Sequence, residues 1–309
     1  MNDKLAIAIV LTVALAFAFP GCGAWGNGGY SEDQSNPDYG THDWISDRAI
    51  ELVTTDKTFL STTFHSSFLL GTESPDNPKM IGDTWNHHVY YDRSGLVTED
   101  NSARRARETA SAARSLMTAG DFELAAYYIG AMSHYIADVG VFGHTMGSDT
   151  AWGEEEHHAD YEAEMGSRIL SLAPPPRTSI TAKDPYEAAL DLAAQITFGH
   201  GDIKPNGWMD NNYDWSYDVF VTSAYASIYA SIYAVASAIQ YLLQEPPSPG
   251  TVPDESTDVD LPSENVPSDE TADSSEKEGI GHELIVYLLG ASTAVVIAVI
   301  AALTRKRAK

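Results

Sequence analysis

Cysteine is almost missing from this 309-residue chain. Cys22 stands alone, which excludes a disulfide framework and any cysteine-rich zinc module. Basic side chains are scarce too: 18 Lys and Arg face 44 Asp and Glu, for a formal net charge of −26. Gripping a nucleic-acid backbone takes Lys and Arg against the phosphates, so this composition speaks against a nucleic-acid partner. Strand-like alternation of apolar and polar residues is rare, which argues against a sheet protein. Apolar residues are not lacking. A hydrophobic content of 43% over this length excludes wholesale disorder and leaves ample material for a buried core.

Both ends read as address labels. Residues 1–24 have the layout of a signal peptide: Lys4, an apolar run from Leu5 to Phe19, then small residues ending at Ala24. Cys22 and Ala24 sit at −3 and −1 of a cut before Trp25. The rival is a lipoprotein acylated on Cys22. Residues 284–303 carry no charge and match the length of a membrane-spanning helix. Arg305, Lys306, Arg307 and Lys309 follow directly. Positive residues stay cytoplasmic, so residues 304–309 form an inner tail and everything before residue 284 is expected outside, at the cell surface on the plasma membrane. Residues 245–283 hold twelve acids and one lysine among Pro, Ser and Thr, without apolar periodicity. That composition makes a self-repelling, extended tether.

Between them, residues 25–244 read as one all-α, multi-helix domain. Residues 102–119 are rich in Ala and Arg and are stopped by Gly120. Asp121 is placed to cap the next helix, 122–139. Residues 154–172 make another, with Glu154-Glu155-Glu156 as its solvated start. Asp184-Pro185-Tyr186-Glu187 combines a cap, a proline at the first helical position and a glutamate three residues after the cap, opening a helix to 198. Residues 217–244 form a long helix with Ser216 as cap, and 42–53 a shorter one.

Ten histidines are the informative count. His134 and Asp138 lie four apart on one predicted helix, and His158 and Glu162 repeat that spacing on the next. Residues four apart share a helix face. His144 falls between the pairs, past Gly140 and Gly143. One such pair alone is usually a surface feature. Two pairs from adjacent helices, with a third histidine between, are how helical bundles assemble multi-metal sites. Imidazole with carboxylate suits zinc. His42, Asp76 and a histidine of the His87-His88 doublet are further candidates upstream. The doublets His87-His88 and His157-His158 leave the register open. His88 and His158 are taken because they keep the spacing to Tyr90 and Glu162. His65, His200 and His282 have no partner at useful spacing.

The ordered set Trp25, His42, Gly71/Asp76, His88, His134/Asp138/His144 and His158/Glu162 resembles the zinc-dependent phospholipase C family, a secreted all-helical fold related to the S1/P1-type nucleases. The resemblance covers residues 25–172 and implies about three zinc ions in a trinuclear site between helices. Asp76, His88, His134 and Asp138 would hold one. The Trp25 α-amine and carbonyl, His42 and the second Asp138 oxygen would hold another. His144, His158 and Glu162 would hold the third. The implied activity is phosphodiester hydrolysis of phospholipase C type by attack of metal-bound hydroxide on phosphorus, with Asp76 as the catalytic residue that orients or deprotonates the water. The partner is a phospholipid or another phosphodiester. Gly28 and Asn77 stand where choline-selective members carry an acid and a tyrosine, while Trp85 retains an aromatic. The Trp25-to-His42 gap is longer than in the bacterial enzymes, with Gly26–Gly29 able to absorb it. Glu162 stands where the nucleases carry Asp. A nuclease and a non-catalytic, metal-stabilised surface protein are the competing readings.

Overall fold

The computed structural model describes residues 39–83 and 85–244. The signal peptide, Trp25, the acidic tether, the apolar segment 284–303 and the basic tail lie outside the described residues.

The domain is built around one helix. Helix α4 (Phe122–Asp138) follows α1 (Thr41–Leu52), α2 (His65–Glu73) and α3 (Asn101–Ala119). Asp121 caps it by accepting the Leu124 N–H at 3.2 Å, and every residue from Ile129 to Asp138 is buried. A helix apolar on all sides belongs in a core. Here α1, α2 and α3 pack on α4, joined by α6 (Pro185–Phe198) and α8 (Asp218–Gln244). Gly120, at φ +84°, supplies the left-handed residue that turns α3 back into α4.

Two glycines set how α2 meets α4. A Cβ on Gly71 would sit 2.0 Å from the Tyr127 carbonyl oxygen, and one on Gly130 would sit 2.0 Å from that of Phe68. The helices therefore cross backbone on backbone, which only paired glycines permit. This crossing delivers Thr72 and Asp76 to the far end of α4.

Helix α8 is long and apolar enough to span a membrane by composition, but half of its most apolar stretch is buried. Phe220, Ala224, Ile228, Ile232, Val235 and Ile239, spaced by threes and fours, face the core without exposure. It is a core helix packed on α1, α4 and α6.

The structure departs from the sequence expectations in several places. Helix α5 (His158–Arg168) begins four residues after Glu154. Gly153 turns the chain at φ +83°, and the backbone N–H groups of Glu156 and His157 donate to Asp210 rather than into a helix. Ser216 does not cap α8; its hydroxyl donates to Asp214 at 2.7 Å. Helix α2 and the short α7 (Asn206–Asn211) were not anticipated, since neither carries a side-chain cap. A small antiparallel pair, β1 (Tyr90–Tyr91) and β2 (Val97–Glu99), also escapes the alternation test because it is so short. His65 has a partner after all: its Nε2 meets Asp47 Oδ1 at 2.7 Å, 18 residues upstream. His200 is exposed and bridges to Ile203 through its backbone.

Candidate metal centre

Asp138, the last residue of α4, is fully buried and gathers imidazoles from four segments. Its Oδ2 lies 2.6 Å from His87 Nδ1 and 4.0 Å from His134 Nε2. Its Oδ1 lies 3.2 Å from His144 Nε2 and 3.5 Å from His42 Nε2. Asp76 Oδ1 approaches His87 Nδ1 at 3.6 Å and His134 Nε2 at 3.8 Å. Glu162 Oε1 sits 2.9 Å from His158 Nε2 and 3.5 Å from His144 Nε2. Three groups result, each with donor atoms within 4.8 Å of one another: His42, His134 and Asp138; Asp76, His87 and His134; His144, His158 and Glu162.

Among the sequence candidates, His88 is not in these groups. His87 takes the place beside Asp76 and Asp138, while the His88 ring lies next to His144, ring centroids 5.2 Å apart, without joining a donor group. The Asp83 carbonyl selects His87 by accepting from its Nε2 at 2.5 Å. Burial pushes His88 down to about 4, leaving a neutral imidazole. Of the second doublet, His158 faces the group, while His157 stacks on Tyr213 with ring centroids 4.6 Å apart and meets Asp210 at 3.2 Å. Trp25, the expected amine donor, lies outside the described residues.

In His134, His87 and His158 the inward-facing nitrogen is chosen by an outward hydrogen bond, the arrangement typical of metal-ligating histidines. His134 Nδ1 donates to the Thr72 carbonyl at 2.6 Å, and the Thr72 hydroxyl donates to Asp43 at 2.5 Å. His158 Nδ1 meets Glu155 at 3.2 Å. Asp83, whose carbonyl orients His87, is held in turn by Arg105 at 2.6 Å and by the Tyr135 hydroxyl at 3.1 Å. Glu155 and Asp83 lie three and four residues before the histidines they support, whereas Thr72, Asp43, Arg105 and Tyr135 meet their partners across fold contacts.

The electrostatics describe a cluster balanced by protons. Burial opposes charge on His87, but the Asp138 carboxylate outweighs it and pushes His87 up to about 9. For His158 burial is likewise outweighed, by hydrogen bonds to Glu155 and Glu162, giving about 10. Burial raises Asp76, with the Asp138 charge adding to it. Asp138 itself is held well below the usual range despite burial, by His144 and His87. His134 is driven well below its ordinary value, first by burial and then by His42.

The residues fit a group of divalent cations. Five imidazoles and three carboxylates converge in a buried space. Ring nitrogens face one another directly, His158 Nε2 to His144 Nε2 at 3.2 Å and His134 Nε2 to His87 Nδ1 at 3.4 Å. Facing nitrogens repel unless a proton or a cation lies between them, and this donor set is the one zinc prefers. A cation would compete with those protons for the same atoms.

Gly143 makes room for the third group. A Cβ there would lie 2.6 Å from Cγ of His158. Gly143→Ala is expected to push that ring aside and weaken the ion held by His144, His158 and Glu162 by about 10- to 100-fold, the range for disturbed ligand support. Zinc counted per chain after dialysis at controlled free zinc checks this; the fold, followed by circular dichroism, should be retained.

Comparison with known proteins supplies the context. No curated protein matches the chain. A solved structure of alpha toxin from Clostridium absonum shares 17% identity at a TM-score of 0.51, covering 68% of this chain and 65% of that one. The Clostridium perfringens alpha-toxin of avian strain SWCP shares 15% at a TM-score of 0.46, covering 66% and 63%. The chain thus spans just under two thirds of these toxins, and the likeness to the first speaks to the fold alone. The family model described as zinc dependent phospholipase C matches residues 41–224. That range contains every donor of the three groups and more than half of the sequence: the chain belongs to the zinc-dependent phospholipase C family.

Proposed function

We infer that the domain hydrolyses phosphodiester bonds of phospholipids in the manner of a phospholipase C, using about three zinc ions. The observation that carries this reading is the sharing of donors. His134 belongs to two of the three groups, and Asp138 offers one oxygen towards His42 and His144 and the other towards His87. Cations held this way are kept close together, as a phosphodiester demands.

Asp76, His87, His134 and Asp138 would hold one ion; His42 and Asp138, with the Trp25 amine, a second; His144, His158 and Glu162 the third. Bound zinc would supply Lewis acidity, lowering the pKa of water towards about 7 and neutralising phosphate charge. The protein's own part is to hold donors rigidly and keep bulk water out, which the burial of His42, His134 and Asp138 achieves. Asp76 is the carboxylate that reaches solvent: its side chain is 13% exposed, against 0% for Asp138 and 3% for Glu162. Asp76 would orient the attacking water or take its proton. The acidic surface disfavours anionic partners except where cations gather, so the anionic substrate is directed to the centre. In this reading residues 284–303 tether the domain to the plasma membrane, facing outward.

The test is an assay of the purified, zinc-loaded chain on phosphatidylcholine vesicles and, in parallel, on single-stranded DNA. Release of phosphorylated head group, abolished by a chelator and restored by zinc, is expected. Hydrolysis of DNA alone would favour the nuclease reading. A zinc-dependent rise in melting temperature with neither substrate cleaved would leave a metal-stabilised surface protein.

A further inference from the structure

Helix α7 supplies none of the donors, yet it contacts the residues beside His144 and beside His158. His144 sits in a single 3-10 turn (Phe142–Thr145), and His158 opens α5. Twelve residues of loop separate Thr145 from His158. Gly147 and Gly153 pair across that loop, the Gly147 N–H donating to the Gly153 carbonyl at 3.0 Å, and a second tie links the ends that carry His144 and His158, whose Nε2 atoms face at 3.2 Å.

Asn206 and Asp210, four apart on one face of α7, form that tie. The Asn206 amide donates to the Thr145 carbonyl at 2.9 Å and to the Thr145 hydroxyl at 3.1 Å, beside His144. Asp210 Oδ1 accepts the backbone N–H groups of Glu156 at 2.9 Å and His157 at 3.1 Å, beside His158. It also meets His157 Nδ1 at 3.2 Å. His157, the residue before α5, has no side-chain cap bond of its own, and Asp210 instead fixes the backbone that leads into α5. Asn206 is fully buried and Asp210 nearly so. Buried amides and carboxylates with their hydrogen bonds satisfied define position sharply, because any displacement leaves them unpaired.

We propose that Asn206 and Asp210 are positioning residues: together they set the separation of His144 and His158 and thereby the affinity of the cation held with Glu162. The inference rests on the metal-site reading above, but not on hydrolysis. It distinguishes this ion from the other two, whose donors come from α1, the turn after α2, α4 and the segment before β1, none of them gripped by Asn206 or Asp210.

The experiment measures zinc per chain, and the dissociation constant of the most weakly held ion, for the full chain and for Asp210→Ala, Asp210→Asn and Asn206→Ala. His158→Ala serves as the two-ion reference. Asp210→Ala is expected to weaken the third ion about 10- to 100-fold, so that two ions are kept after dialysis where the parent keeps three. Asp210→Asn should keep three, because its amide oxygen can accept the same two N–H groups. Asn206→Ala should weaken the same ion from the other arm, which gives a second reading if Asp210→Ala does not fold. The proposal is overturned if the alanine variants bind the third ion like the parent. It is equally overturned if they lose all three ions in step with a fall in metal-free melting temperature. A parent chain that binds three ions but cleaves no phosphodiester would sink the proposed function and leave this inference standing.

Discussion

Asp138→Asn is expected to cost the protein at least two of its zinc ions, and at least about 100-fold in phosphodiester hydrolysis, without unfolding it. Asparagine keeps the shape of the side chain at the end of α4 but removes its charge and one acceptor. The carboxylate now lies between four imidazoles, 2.6 Å from His87 and 3.2 Å from His144. An amide nitrogen placed towards either would turn a donor against a cation. Outer-shell losses alone cost about 10- to 100-fold in affinity or activity, and Asp138 faces two groups at once. Asp138→Ala should be harsher. Taking one member from a buried charged set costs about 3–5 kcal/mol, so that variant is expected to lose folded yield as well. Two measurements check this: zinc per chain, and the rise in melting temperature on adding zinc. Ligand at 100 times its dissociation constant stabilises by about 2.7 kcal/mol, which in a domain this size is a rise of about 5–11 °C. The parent should show a rise of that order and Asp138→Asn little of it. Undiminished zinc binding in Asp138→Asn would remove Asp138 from the centre of the cluster.

The second large effect concerns two glycines that look alike in the sequence and should respond with opposite sign. Gly130→Ala places a Cβ 2.0 Å from the Phe68 carbonyl oxygen and 2.9 Å from the Thr72 nitrogen. The obstacle is backbone, so α2 and α4 must move apart. Overpacking of this kind costs about 3 kcal/mol, or about 6–12 °C in melting temperature. Thr72 would be carried away from His134, so the ions beside Asp76 should weaken too. Gly166→Ala, in the helical turn above Arg168, meets only the Thr41 hydroxyl at an ordinary 3.8 Å. There the gain in helix propensity is expected to stabilise by about 0.5–1 kcal/mol. Parallel thermal melts of the two variants, metal-free and zinc-loaded, decide the matter. Equal behaviour would mean that the close crossing of α2 and α4 is not tight in solution.

Much of the site is written in local spacing. His134 with Asp138, and His158 with Glu162, were legible because four residues make one turn of a helix, and a helix is a local object. The same holds for the caps at Asp121 and Asp184 and for the stop at Gly120, each of which depends on its nearest neighbours. The long α8 was legible from its apolar threes and fours. Strands β1 and β2 were not, since five residues in all are too few to show a period.

What the sequence by itself determined, then, is which residues share a helix face, that the domain is helical, and that histidine and carboxylate were being gathered for a metal. Tertiary structure alone decided that His87, not His88, turns inward, whereas His158 was already marked by its spacing to Glu162. His87 faces Asp138 because a carbonyl at Asp83 and a carboxylate 51 residues away leave it one orientation. It also decided that Gly71 and Gly130 are an interface rather than weak points in two helices, and that Asp210 holds the backbone at His157, 53 residues upstream of it. The physical reason is the same in each case. Spacing along a helix is fixed by covalent geometry and repeats every turn. The distance between two helices depends on everything packed between them.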